Sequence, residues 1–178
     1  DHTCALLDNN TTKCWGYNGS GQLGQGDSDN RGDSGAEMGD ALVAIDLGAG
    51  RTATAITAGA YHTCALLDNN TTKCWGYNDS GQLGQGDADY RGDGVGEMGD
   101  FLVAIDLGTG RTATAITAGA GADHACALLD NNTVKCWGLN YSGQLGLGDT
   151  TQRGDDPGEM AALAAVDLGT GPTAITAG

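Results

Sequence analysis

The side chains with the greatest chemical potential in this 178-residue sequence are six cysteines, three histidines and a surplus of carboxylates. The cysteines fall into pairs with a constant spacing, Cys4/Cys14, Cys64/Cys74 and Cys126/Cys136, and each pair follows a histidine, His2, His62 or His124. An Asp-Asn-Asn triplet lies midway in every pair, Asp68-Asn69-Asn70 in the second. Read as a three-residue hairpin loop of types that tolerate the left-handed region, it pairs Leu67 with Thr71 and sets Cys64 directly opposite Cys74, within disulfide reach. The repeat thus selects one of the ~15 pairings open to six cysteines. Each bridge closes a short loop and is worth ~2 kcal/mol. Disulfides imply an oxidising compartment, and so a secreted or extracellular location. Two alternatives stand beside this: zinc held by His62, Cys64 and Cys74, or free buried thiols. The disulfide is preferred because no fourth metal ligand recurs in step with the repeat. The three histidines occupy equivalent positions, with no Ser, Cys or carboxylate unique to one copy, so they read as structural and no catalytic site is expected.

The carboxylates make the second candidate site. Eight Lys+Arg against 23 Asp+Glu give a net charge of −15, which argues against phosphate backbones and anionic lipid as partners. No apolar run approaches the ~18 residues of a membrane span. Much of the acid recurs in one loop, as Asp27, Asp29, Asp33 and Glu37 and again as Asp87, Asp89, Asp93 and Glu97. Oxygen ligands at alternate positions suggest Ca2+. However, Arg31 stands where a ligand belongs, and the third unit has Thr151 in place of Asp29. A loop ordered by arginine–carboxylate pairs and Asx turns is the preferred reading, with calcium as the alternative. The same loop carries Arg-Gly-Asp in each unit, a weak adhesion signal. Asn9, Asn10, Asn18, Asn69, Asn70, Asn78, Asn131 and Asn140 each begin an Asn-x-Ser/Thr acceptor for glycans.

The elements that must position these groups follow from internal repetition. HTCALLDNNTTKCWGYN begins at His2, recurs unchanged at His62 and returns as HACALLDNNTVKCWGLN at His124. Three units result, 1–60, 61–120 and 121–178, the first two differing at only about nine positions. A period of this length suits a four-stranded blade with a long loop. Alternation and turn punctuation give four strand-like pieces: 102–107 and 114–118 as strands one and two, then stretches like 62–67 and 72–77 as strands three and four. The 32 glycines follow no three-residue period and mark tight turns.

The segment HTCALLDNNTTKCWGYNDSGQLGQGD resembles the hallmark blade of the regulator of chromosome condensation family of β-propellers. The resemblance covers all three units through the His-x-x-Ala-Leu strand, the Trp-Gly-x-Asn corner at Trp15, Trp75 and Trp137, and the Gly-Gln-Leu-Gly turn at Gln22, Gln82 and Gln144. It implies an all-β fold of four-stranded antiparallel blades around an axis, and faces that bind proteins. Paired cysteines match secreted-looking bacterial members rather than a chromatin-bound one.

Three repeats do not close a ring of four to eight blades, and incomplete blades are expected at both termini. The chain is then a fragment, half of a two-chain ring, or a unit of a head-to-tail fibre. The function expected is a non-catalytic extracellular structural protein that self-associates through its half-blade termini; the alternative is a secreted module that binds a protein or surface ligand.

Overall fold

The computed structural model describes all 178 residues. Eight strands occur in the order β1 (His2–Leu6), β2 (Thr12–Gly16), β3 (Ala53–Ala58), β4 (His62–Leu67), β5 (Thr72–Gly76), β6 (Ala113–Ala118), β7 (His124–Leu129) and β8 (Val134–Gly138). The sole α-helix is the single turn α1 (Glu159–Ala162). The strands form three antiparallel sheets, β1-β2, β3-β4-β5 and β6-β7-β8, as an all-β chain of propeller blades requires.

Each blade is built around one hairpin. Leu67 N–H donates to the Thr71 carbonyl at 2.9 Å, and Asn70 closes the loop at φ 62°. Asparagine takes this left-handed position at small cost, as Asn10 and Asn132 do in the other units. The resulting register sets Cys64 against Cys74. A register shift between Ala53 and Ala55 bulges β3 at Thr54, whose hydroxyl donates to the Leu66 carbonyl at 3.2 Å. The hydroxyl thus supplies a bond where the bulge disrupts the ladder.

The fourth strand of each blade is an extended segment tied on by one backbone bond. Ile45, Ile105 and Val166 N–H groups donate to the Thr12, Thr72 and Val134 carbonyls, each at 2.8 Å. Residues 102–107 therefore lie on the outer edge of the β3-β4-β5 sheet, and do not open the sheet that follows. The strand order read from sequence shifts by one: a blade starts at β3 or β6 and ends on the next such segment. Lys73 fixes this edge, its Nζ donating to the carbonyls of Leu47 and Gly99 at 3.0 and 2.8 Å. Burial lowers the Lys73 pKa, opposed by Asp100 and Asp46.

The cores lie between blades. One joins Leu23, Ile45 and Leu47 to Leu67, Trp75 and Leu102; the next joins Leu83, Ile105 and Leu107 to Leu129, Trp137 and Leu163. Inner strands are also linked, since Ala118 N–H donates to Thr57 Oγ1 and Ala177 N–H to Thr117 Oγ1, each at 3.1 Å. Residues 172–177, PTAITA, thus hold the next inner-strand position and nearly repeat the ATAITA of β3 and β6.

Candidate functional site

All six cysteines are bridged, Cys4–Cys14, Cys64–Cys74 and Cys126–Cys136, each with a Cα separation of 4.1 Å. The zinc and free-thiol alternatives therefore fall.

The histidines line the blade junctions. His2 Nε2 lies 2.7 Å from Thr63 Oγ1, and that hydroxyl donates to the Gln22 carbonyl at 2.8 Å. With its one proton spent there, Thr63 accepts from His2, which fixes the Nε2–H tautomer. Trp75 Nε1 donates to the same Gln22 carbonyl at 3.0 Å. Gly24 permits that approach: at φ +67° its Cβ would fall 2.9 Å from Trp75 Nε1. The second junction repeats the tryptophan contact, Trp137 Nε1 to the Gln82 carbonyl at 3.0 Å. Yet it carries Ala125 where the first has Thr63. His62 is fully buried there with neither ring nitrogen partnered. Burial first, then His2 and His124, pushes its pKa down to about 3. His2 is pushed down to about 4, by burial and the nearby terminal ammonium.

The acidic loops are internally clamped. Arg31, Arg91 and Arg153 reach Asp27, Asp87 and Asp149 at 2.6, 2.7 and 2.7 Å, while Asp29 and Asp89 N–H groups donate to Asp27 and Asp87 Oδ1. Glu37 accepts from Gly32 and Ser34 N–H, and Glu97 from Gly92 and Gly94 N–H. Asp33 meets Asn30 Nδ2 at 3.5 Å, and burial followed by Glu97 raises the Asp93 pKa. No three His, Cys, Asp or Glu side chains converge in a way that could hold a metal ion, so the eight expected calcium ligands are not brought together. The Arg-Gly-Asp tripeptides of the second and third units are tied into this framework rather than held out as free tips: Gly26 N–H donates to the Gly92 carbonyl across the first junction, and Gly86 N–H to the Gly154 carbonyl across the second, each at 2.9 Å.

The glycan acceptors divide into two groups. Asn9, Asn69 and Asn131 are exposed, their Oδ1 accepting from the Thr two residues on; Asn10 and Asn70 are exposed beside them. Asn18, Asn78 and Asn140 correct the expectation. They are fully buried, with Oδ1 accepting from Leu23, Leu83 and Leu145 N–H and Nδ2 donating to the Asp27, Asp87 and Asp149 carbonyls. A glycan on those nitrogens is incompatible with the folded loop. The signal was Asn at the same step before Gln-Leu-Gly in every unit.

Two surfaces were missed, both where the second repeat departs from the first. One is a row of tyrosines, with Tyr17–Tyr61, Tyr61–Tyr77 and Tyr77–Tyr90 centroids at 6.1, 6.2 and 5.1 Å. Tyr77 Oη donates to Asp79 Oδ2 at 2.8 Å, and burial followed by Asp79 raises both the Tyr77 and Tyr90 pKa. The other is a groove of about 310 Å³ lined by Val43, Ala44, Val95, Met98 and Phe101 among others. Here Val95 is 98% and Phe101 78% exposed. Tyr61, Asp79, Tyr90, Val95 and Phe101 replace Asp1, Gly19, Asn30, Gly35 and Ala41 of the first unit. Comparing the two nearly identical repeats points to them.

Known proteins agree with this geometry. The regulator of chromosome condensation (RCC1) repeat matches residues 1–22, 53–82 and 115–144. The ultraviolet-B receptor UVR8 of Arabidopsis thaliana is 31% identical over 150 residues, 84% of this chain and 30% of the receptor. The RCC2 homolog of Xenopus laevis is 32% identical over 101 residues, 57% of this chain and 18% of that protein. Human WBSCR16 superposes with a TM-score of 0.66 at 16% identity, over 99% of this chain and 40% of its own. Prp20p of Saccharomyces cerevisiae gives 0.63 at 20%, over 93% and 36%. The chain thus spans under half the length of each. With three matching repeats, blade hairpins in register and the same fold in solved propellers, the chain belongs to the RCC1-repeat family of β-propellers.

Proposed function

We propose that the chain is a non-catalytic, extracellular propeller module that works by binding another protein. The observation that carries this reading is the groove at Val43, Ala44, Val95, Met98 and Phe101. Val43, Val95 and Phe101 stand in solvent beside an internally clamped loop, and exposed apolar groups gathered in one place mark interaction sites. Complete pairing of the cysteines supports an oxidising location. A photo-crosslinking residue at position 101 tests the reading in the extracellular fraction of the native host. One discrete protein adduct from position 101, lacking at the equivalent position 41, is expected. Equal labelling from both positions overturns it.

A second reading, structural self-association, has its own observation. Trp75 and Trp137 each fill a slot on the preceding blade, and the equivalent slot on the third blade is an apolar cavity of about 320 Å³. Gln144, Gly146, Val166 and Ile175 line it. The β1-β2 hairpin, with Trp15 and without an inner strand, has the form that fills such a slot. Sedimentation of the 178-residue chain tests this: concentration-dependent assembly abolished by Trp15→Ala supports it, and a monomer at all concentrations ends it.

A further inference from the structure

The tyrosine row has features that the groove lacks. Tyr17 is 44% and Tyr61 38% exposed, so two ring surfaces face solvent. Successive rings meet edge to face, at 71° and 68° for the first two pairs. They therefore form a stepped set of π faces instead of one flat platform. Carboxylates flank the row. Asp79 is exposed and accepts from Tyr77 Oη. Asp123 is half-buried, its charge is felt at Tyr77, and its Oδ1 is buried without a hydrogen-bond partner. The nearest cation in the sequence is already engaged: Arg91 holds Asp87 and the carbonyls of Asp89 and Tyr90.

Aromatic faces beside unneutralised carboxylates, on a chain of net charge −15, favour a cation. The electron-rich ring attracts it and the carboxylate pairs with it. A planar guanidinium suits the site better than an ammonium, because it can stack on a ring and still direct N–H groups at a carboxylate. Repeat arithmetic adds an independent argument. Two of the four tyrosines and Asp79 are among the few places where the second unit differs from the first. The scaffold itself does not need them, since the first unit builds the same hairpin and loop with Asp1, Gly19 and Asn30.

We propose that the tyrosine row, Tyr17 of the first unit with Tyr61, Tyr77 and Tyr90 of the second, docks an arginine-rich segment of a protein partner, with guanidinium groups over the exposed rings and paired with Asp79 and Asp123. The proposal deepens the protein-binding reading by naming a surface and the chemistry that recognises it.

The experiment uses the oxidised 178-residue chain and titrates it with hexa-arginine, hexa-lysine and cellohexaose by calorimetry at low and physiological salt. The decisive variant is Tyr61→Asp with Tyr90→Asn, which installs first-repeat residues; Asp also stands at the equivalent position of the third unit, as Asp123. An unchanged melting temperature verifies its fold. Hexa-arginine is expected to bind tighter than hexa-lysine, and the variant to lose roughly tenfold in affinity as ring contacts disappear. The variant is one charge more negative, so attraction to bulk charge alone predicts the opposite sign. Equal or tighter binding by the variant overturns the proposal, as does binding of cellohexaose alone. Val95→Gly with Phe101→Ala leaves the peptide titration unchanged. An adduct at position 101 without peptide binding therefore leaves the groove standing while the tyrosine row fails.

Discussion

The two blade junctions are close copies that differ in the hydrogen bonding around the histidine. In the first, His2 donates to Thr63, Thr63 donates to the Gln22 carbonyl, and Trp75 donates to that same oxygen. In the second, Trp137 makes its bond to Gln82 but Ala125 cannot make the other, and His62 is left buried with both nitrogens unpartnered. The difference separates what holds blades together from what tunes them. Tryptophan and the flanking leucines are common to both junctions and carry the packing. The hydroxyl relay is an addition that one junction does without, at the cost of an unsatisfied polar group.

If packing dominates, Trp75→Ala and Trp137→Ala cause the largest and nearly equal losses. Each side chain is 0% exposed, and a buried Trp→Ala change costs ~3–5 kcal/mol. Urea unfolding with fluorescence of the remaining tryptophans measures both. A loss at Trp75 far below that at Trp137 breaks the view of the junctions as copies.

Acid provides the next largest contrast. Burial holds His62 down to about 3 and His2 to about 4, against an ordinary 6.5. The unfolded chain therefore binds more protons between those values and 6.5. Stability from keeping these rings neutral is full above pH 6.5 and falls as the pH drops, toward 4 for His2 and toward 3 for His62, by up to ~1.4 kcal/mol per pH unit for each ring. His62→Leu is expected to flatten the decline more than His2→Leu, because His62 is the more deeply buried. The urea midpoint against pH measures this, and a decline unaffected by His62→Leu sinks the assignment.

The relay itself can be moved. Ala125→Thr gives His62 an acceptor in a site that already holds threonine at the other junction, and is expected to stabilise by ~1 kcal/mol. Thr63→Ala makes the first junction resemble the second and costs ~1–3 kcal/mol. Both are read from thermal melts. A destabilised Ala125→Thr shows that the second junction has closed up around alanine.

Sequence and structure part company for identifiable reasons. The hairpin register was legible because the cysteine spacing, the Asp-Asn-Asn loop and the alternation all require the same pairing. The blade limits were not, because residues 102–107 hold their sheet through a single ladder bond, and neighbouring strands in sequence suggested the wrong sheet. Asn78 looked like a surface acceptor because the tripeptide rule ignores burial; its amide instead joins the Leu83 N–H to the Asp87 carbonyl. His62 looked like a copy of His2, and only the threonine-to-alanine change on a neighbouring blade sets them apart. Tyr61, Tyr77 and Tyr90 are dispersed along the chain and meet only through the fold.

The smallest expected effect concerns calcium, which also distinguishes the junctions. The first is clamped by the loop carrying Asp89 and the second by the loop carrying Thr151 in its place. An ion using that carboxylate would stabilise the first junction alone. Arg91 already occupies Asp87 Oδ2, and the Asp89 N–H occupies Oδ1. A calcium ion would thus have to displace a charge-assisted pair and an Asx turn to gain its ligands, and exchange of one cation for another on the same carboxylate contributes little net stability. Melting with calcium and with a chelator is therefore expected to coincide. A calcium-dependent rise abolished by Asp89→Thr but not by Asp149→Asn would show that the loop carrying Asp89 rearranges around an ion and the third does not.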